Sequence, residues 1–338
     1  MGNHLHSCEN RYFIAFGFIF LTYFFWMDLM LYYHLQNRKP GLQINASQKA
    51  PHFYTPFSDM TMKLIMCDSP NHYIWTPLAQ LSVDVLHLTK LFPGLTANMI
   101  TFAHFCVAII AAKFISYDRL CMRRIGVLLF EFRTFLDALD GVIARERKNK
   151  RYLMESEHGT WGYIWDGSAD IFGSLILMLA AFNYLYNKFH RISIHEGGYK
   201  LLESGNGNLE NKTTISTKVI WSKLFSIAIL MTFSLSFWDR YITKYHFFLE
   251  NIYATPNQQI LENEVLKSSS MWIIIWFWRL CNAHAFLEIC MIAIFVDKIW
   301  EFLCWIQYIG FFVISLLILV SEIHLRNTIQ FIGPIIPT

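Results

Sequence analysis

The chain has 338 residues, 54% of them hydrophobic and only 16% charged, where soluble domains carry about 25%. Its 28 basic and 25 acidic side chains nearly cancel, so the charge implies no nucleic acid or other acidic partner. With 17% aromatics, it is neither a disordered chain nor a coiled coil, and it has too little charge to cover a soluble globule. The apolar residues are gathered into long runs, and the expectation is an integral membrane protein.

A bilayer core about 30 Å thick takes about 20 helical residues to cross. The first run, 13–35, is too long and aromatic for a cleaved signal and reads as a retained anchor, making residues 1–35 an N-terminal tail and membrane helix. Residues 36–95 form a linker with Pro40, Pro51 and Pro56. It ends in a patterned stretch, Ile74 to Leu91, which Asp84, His87 and Lys90 interrupt, so it reads as an interfacial amphipathic helix rather than a span. Six spans follow, at 97–116, 124–140, 162–185, 217–237, 271–296 and 302–324. The expected fold is therefore an all-α polytopic membrane protein, with a six-helix domain over 96–325, an extra N-terminal helix and a tail over 326–338. Residues 188–216 and 240–270 read as polar connections. Seven cysteines without a Cys-x-x-Cys pair indicate neither a zinc site nor a disulfide framework.

Chemistry concentrates where the third and fourth runs face each other. Asp137 and Asp140 are three residues apart and Asp166 and Asp170 four apart, so each pair shares a helix face. Four carboxylates converging in a low-dielectric bundle need cations, and an all-oxygen set selects a hard divalent ion such as Mg²⁺ or Mn²⁺. Such a set can hold two ions, the arrangement that clamps both oxygens in phosphoryl displacement. Gly141 and Ala144 let a bulky group approach the backbone, Arg145 suits a phosphate, and Gly162 lies one turn before Asp166.

As one string, Asp137-x2-Asp140-Gly141-x2-Ala144-Arg145-x16-Gly162-x3-Asp166-x3-Asp170 resembles the signature of the CDP-alcohol phosphotransferases. Leu95-Thr96-Ala97-Asn98-Met99-Ile100-Thr101 is similar to the opening of that family's first core helix, with Ala97 in place of proline. The 16-residue gap after Arg145 exceeds the usual eight and resembles the ceramide phosphoethanolamine synthase branch. The resemblance implies six core helices, a homodimer and an alcohol attacking a CDP-linked donor with release of CMP. It implies Asp137, Asp140, Asp166 and Asp170 as ligands of two ions, Mn²⁺ favoured over Mg²⁺, with Asp170 also the base. Asp140, Gly141, Ala144, Arg145, Gly162 and Asn98 would border the donor. The branch further implies CDP-ethanolamine and ceramide as substrates in the Golgi or ER membrane.

His284 is a second candidate for assisting deprotonation; with Arg279 and Glu288 it lies in one apolar run. Asp28, inside the anchor, has no partner that the sequence reveals. The basic residues of 146–161 suit a donor diphosphate as well as a solvated loop. Lys113, Arg119, Arg123 and Arg124 favour a cytosolic turn after the second run, which puts the carboxylates on the luminal side. The sequons at Asn45 and Asn211 then lie on opposite sides of the membrane, Asn45 with the carboxylates. Competing readings are an aminoalcohol phosphotransferase acting on diacylglycerol, a synthase using CDP-diacylglycerol, and a cation-binding transporter.

Overall fold

The computed structural model describes residues 2–38, 54–57, 61–147, 161–203, 215–250 and 255–333. All regular elements among them are helical. In chain order they are α1 (Gly2–Gln36), α2 (Met62–Ile65), a π-helical turn (Asn71–Trp75), α3 (Thr76–Leu86), α4 (Leu88–Leu91), α5 (Ala97–Ile115), α6 (Leu120–Arg147), α7 (Trp161–Glu203), α8 (Thr217–Leu249), α9 (Pro256–Lys267), α10 (Ser269–Cys281), α11 (Ala283–Phe295) and α12 (Ile299–Ile332).

Among the described residues, five helices are long and apolar enough to cross a membrane: Ala15–Gln36, Ala97–Ile115, Ile164–His190, Thr217–Leu249 and Ile299–Ile332. The pair α10–α11 is long and apolar enough only when taken together, and it is bent by 45° at its junction. The protein is thus an all-α polytopic membrane protein. The remaining expected span, 124–140, lies within α6, whose charges keep it out of that group. Those charges point inward, with Arg123, Arg133 and Asp140 all buried. A helix can keep such residues at membrane depth only inside a bundle, and α6 lies there with α5 and α7.

Helices α5 and α6 form an antiparallel hairpin of unusually close approach. A Cβ on Gly126 would lie 2.7 Å from Ile115 Cγ1, 2.8 Å from the Ile115 nitrogen and 2.9 Å from the Ala111 carbonyl oxygen. Only glycine fits there, as in other tight helix contacts in membranes. At the start of the hairpin, Thr96 caps α5 by accepting from the Met99 amide at 3.3 Å. The stretch 74–91 is helical but broken at His87, which takes a left-handed φ of 48°. Its α3 half places Ala79 and Val83 in one cluster with Ile100, Leu139, Val142 and Ile143, and so rests on the hairpin.

Two expectations change. The connection expected at 188–216 begins inside a helix, because α7 continues to Glu203 with no proline to stop it; residues 204–214 lie outside the described set. The span expected at 271–296 is two helices. Asn282 adopts extended backbone and its side chain accepts from the Ala285 amide at 2.8 Å, ending α10 and capping α11 in one step. Arg279 is therefore on a different helix from His284 and Glu288.

That break separates two tasks. On α10, Arg279 is wholly buried and holds the N-terminal helix. Its Nη2 lies 3.1 Å from Asp28 Oδ1, which also accepts from the Tyr73 hydroxyl at 2.7 Å, while Asp28 Oδ2 accepts from Trp276 at 3.1 Å. Its Nη1 donates to the Ile65 carbonyl at 3.0 Å and to His72 Nδ1 at 2.9 Å. Burial, reinforced by the Arg279 charge, holds the His72 pKa well below its usual value, so the ring is neutral. Its Nε2 is then free to donate to the Pro56 carbonyl at 2.8 Å. The anchor carboxylate that lacked a partner in the sequence thus ties α1 to α10 and to the linker.

At the opposite end of the hairpin, Asp297 sits between α11 and α12 with φ 60°. Its Oδ1 accepts from Tyr184 at 2.5 Å, Arg123 at 2.8 Å and Lys188 at 3.3 Å. Burial alone would raise its pKa, but the Tyr184 hydrogen bond and the Lys188 and Arg123 charges hold it below the usual carboxylate range.

Candidate active site

Three helices bring four ligand atoms together. His104 comes from α5, Asp137 and Asp140 from α6, and Asp166 from α7, with one nitrogen or oxygen of each within 4.8 Å of the others. His104 Nε2 stands 4.0 Å from Asp137 Oδ1, 3.9 Å from Asp140 Oδ2 and 4.0 Å from Asp166 Oδ1. The hairpin explains the first three: antiparallel α5 and α6 meet where Thr101, one turn before His104, donates to Asp140 Oδ2 at 2.7 Å. Exposure of the side chains rises from 0% for His104 through 6% and 20% for Asp140 and Asp137 to 43% for Asp166. The cluster therefore opens on the α7 side.

The fourth aspartate is placed differently. Asp170 lies one turn beyond Asp166, and its Oδ1 is held by the guanidinium of Arg133, itself buried one turn before Asp137. Gly173 makes room, since a Cβ there would sit 3.7 Å from Arg133 Nη2 and 3.7 Å from the Ala108 Cβ. His284 and His104 both act electrostatically on Asp170, so α11 reaches the site through His284. Glu288, on the same face, faces Glu131 of α6 instead.

Around the cluster, Arg145 lies over Gly141, whose Cβ would meet Arg145 Nη1 at 3.3 Å. Ala144 is half-buried beside it, while Gly162 and Asn98 are exposed in the first turns of α7 and α5. Of the basic segment, Arg147 turns back to donate to the carbonyls of Pro93 at 2.7 Å and Leu95 at 2.5 Å. Lys148, Lys150, Arg151 and His158 lie outside the described residues. Lys63, on α2, was not anticipated; burial and then Arg145 lower its pKa, while Cys67, Asp166 and Asp239 oppose them. A linker residue thus comes within electrostatic reach of Arg145 and Asp166.

A divalent ion fits this donor set. Carboxylates this close repel by roughly 4 kcal/mol per pair at an effective dielectric of 20. Buried Asp166 Oδ1 and both ring nitrogens of His104 have no hydrogen-bond partner, although buried polar atoms are nearly always paired. A cation among them relieves the repulsion and provides a partner for Asp166 Oδ1 and for His104 Nε2, the ring nitrogen that faces the carboxylates. The structure therefore gathers three of the four expected ligands, adds a histidine, and pairs the fourth aspartate with an arginine. Two signals for His104 and Thr101 were present in the sequence: Thr101 closes the family-like opening string, and His104 follows it on the same helical face.

Membrane-spanning helices with a His/Asp cluster among α5, α6 and α7 define a polytopic membrane protein with a candidate metal centre. The family model for ceramide phosphoethanolamine synthase matches residues 52–334, and the chain belongs to that family. It is 36% identical over 283 residues to the ceramide phosphoethanolamine synthase of Drosophila melanogaster, covering 82% of this chain and 70% of that protein. No solved structure matches it. The transporter reading is set aside by this membership, and the chain is an enzyme of sphingolipid metabolism.

Proposed function

We propose that the protein transfers phosphoethanolamine from CDP-ethanolamine to the hydroxyl of ceramide, giving ceramide phosphoethanolamine and CMP. The observation that carries this reading is the cluster of Asp137, Asp140 and Asp166 inside a family whose fly relative is named for that product. Two divalent ions, Mn²⁺ favoured over Mg²⁺, would be held by the four aspartates and would neutralise charge on the transferring phosphoryl group.

The chain's own residues divide the remaining work. Arg145, set over Gly141, binds a donor phosphate, and Lys63 adds a second positive charge. Asp140, Ala144, Gly162 and Asn98 border the nucleotide. Asp170, oriented by Arg133, accepts the proton as the ceramide oxygen attacks the phosphorus bearing ethanolamine. The bond from that phosphorus to the CMP oxygen breaks, and CMP leaves. His284 stands near Asp170 as a second proton acceptor.

We assign the catalytic unit to residues 96–325, the anchor to 1–35, the linker and interfacial helix to 36–95 and the tail to 326–338. The family match starts at residue 52, which supports a working role for the linker. We further propose a homodimer in the Golgi or ER membrane with its active site facing the lumen. The test is CMP release by purified enzyme across a panel of CDP-ethanolamine, CDP-choline and CDP-diacylglycerol donors with ceramide or diacylglycerol acceptors. Turnover is expected with CDP-ethanolamine and ceramide, abolished by EDTA and restored by Mn²⁺. Preference for diacylglycerol, or full activity in excess EDTA, refutes the reading.

A further inference from the structure

We propose that His104 Nε2 is a direct ligand of the divalent ion, making the site a mixed nitrogen–oxygen set rather than one built from carboxylates alone. The inference rests on the metal-dependent reading above and extends it to a residue outside the aspartate string.

His104 is fully buried in the middle of α5, yet neither ring nitrogen has a hydrogen-bond partner. Leaving a buried donor or acceptor unpaired costs about 1–3 kcal/mol, so a histidine that served packing alone would be expected to find a carbonyl or hydroxyl. Its surroundings are otherwise well made. Thr101, one turn earlier, is bonded to Asp140, and Ala108, one turn later, packs at Gly173. The ring is thus held in place by its neighbours while its polar atoms are left over.

The three nearest carboxylate oxygens stand at 3.9–4.0 Å from Nε2, nearly equidistant and each too far to accept a hydrogen bond. A histidine paired with one aspartate would be close to that one and remote from the rest. Equal spacing from three oxygens on two other helices is the pattern of ligands directed at a common centre. The oxygens come from α6 and α7, so His104 is the one contribution of α5 to the cluster.

Nitrogen in the set changes what the site prefers. Carboxylates serve Mg²⁺, Ca²⁺ and Mn²⁺ alike, whereas imidazole favours the transition metal over the two hard ions. Discrimination between Mn²⁺ and Mg²⁺ is then set by His104, not by the aspartates that hold either ion.

The test is pulsed electron paramagnetic resonance on the full-length enzyme, purified without a histidine tag and loaded with Mn²⁺ in the absence of donor. The expected result is electron spin-echo modulation from a directly bound ¹⁴N, replaced by ¹⁵N coupling when the protein is made with [¹⁵N]histidine. At saturating Mn²⁺, His104→Gln should lose the nitrogen coupling, and its Mn²⁺ affinity should fall by roughly tenfold or more, at least the loss seen when a group that only orients a ligand is removed, with Mg²⁺ affinity falling less. Bound Mn²⁺ with no nitrogen coupling in the wild-type enzyme overturns this inference and leaves the metal-dependent reading standing. Coupling that survives His104→Gln and disappears in His284→Gln overturns it as well. Failure to bind Mn²⁺ at all overturns both. If His104→Gln does not fold, nitrogen coupling that persists in labelled His284→Gln supports His104 as the donor, and coupling lost there overturns it.

Discussion

Asp170→Asn separates proton transfer from metal and donor binding. His104, Asp137, Asp140 and Asp166 form their cluster without Asp170, whose Oδ1 is taken by buried Arg133. Asparagine keeps the shape and one oxygen for an ion or the guanidinium, but its amide cannot accept a proton from the acceptor hydroxyl. A positioned general base typically contributes 10²–10⁴-fold, about 2.7–5.5 kcal/mol of barrier. Turnover should therefore fall by about that factor while CDP-ethanolamine affinity stays within about threefold, since the interaction lost is made only during reaction. Isothermal titration for donor affinity and CMP release for turnover, on one preparation, give both numbers. Asp137→Asn is the contrast, because it removes a cluster ligand and should lose donor binding and turnover together. If Asp170→Asn loses donor binding as completely as Asp137→Asn, Asp170 is first a ligand, and His284 becomes the better base.

Three other outcomes are expected. Asp28→Ala leaves the buried Arg279 guanidinium without its counter-charge and should destabilise the protein by about 3–5 kcal/mol. The double variant Asp28→Leu/Arg279→Met should recover most of the lost melting temperature in detergent; no recovery would sink the charge argument. Gly126→Ala forces a methyl group against α5 backbone and should cost about 1–3 kcal/mol, with Mn²⁺ affinity falling as the hairpin opens; an unchanged melting temperature refutes the close contact. Burial raises the Glu262 carboxyl to about 7, with Glu250 adding and Arg38 opposing. Its stabilising contribution is complete below the usual 4.5 and is lost as pH rises through about 7. Glu262→Gln should therefore melt higher than wild type at pH 8 and alike near pH 4.5, and a constant difference across that range refutes the assignment.

The aspartate spacing was legible because two helical faces carry it locally, and the structure puts Asp137, Asp140 and Asp166 in one cluster. The helices were legible from their apolar runs, α6 included at 124–140, although its inward charges are tenable at membrane depth only because its neighbours cover them. What escaped the sequence depends on distant partners. Asp28 and Arg279 are at opposite ends of the chain, and nothing local marks them as a pair. A single histidine in an apolar helix is only weakly marked, by its place one turn after Thr101, and its use became visible once α6 and α7 stood beside it. The α10–α11 break was hidden because apolar residues run on both sides of Asn282, whose capping bond is the sole local sign. Half of the basic turn taken as an orientation signal has a structural use: Arg123 binds Asp297, and Arg124 donates to the Phe295 carbonyl.

The hairpin contact at Gly126 also sets a length scale. Eleven residues separate His104 from Ile115 on α5, and eleven separate Gly126 from Asp137 on α6. Each arm is therefore about three turns, or roughly 16 Å, from the point where the helices touch backbone to backbone. Two equal arms joined at a pivot behave like calipers: the gap at the tips is fixed by the pivot and by the match of the arms. Adding one residue to either arm would advance its tip by about 1.5 Å and swing it by about 100°. The same insertion placed outside the arms, in the turn 116–119, leaves the tips where they are. The site is therefore far more sensitive to the number of residues in each arm than to the length of the turn.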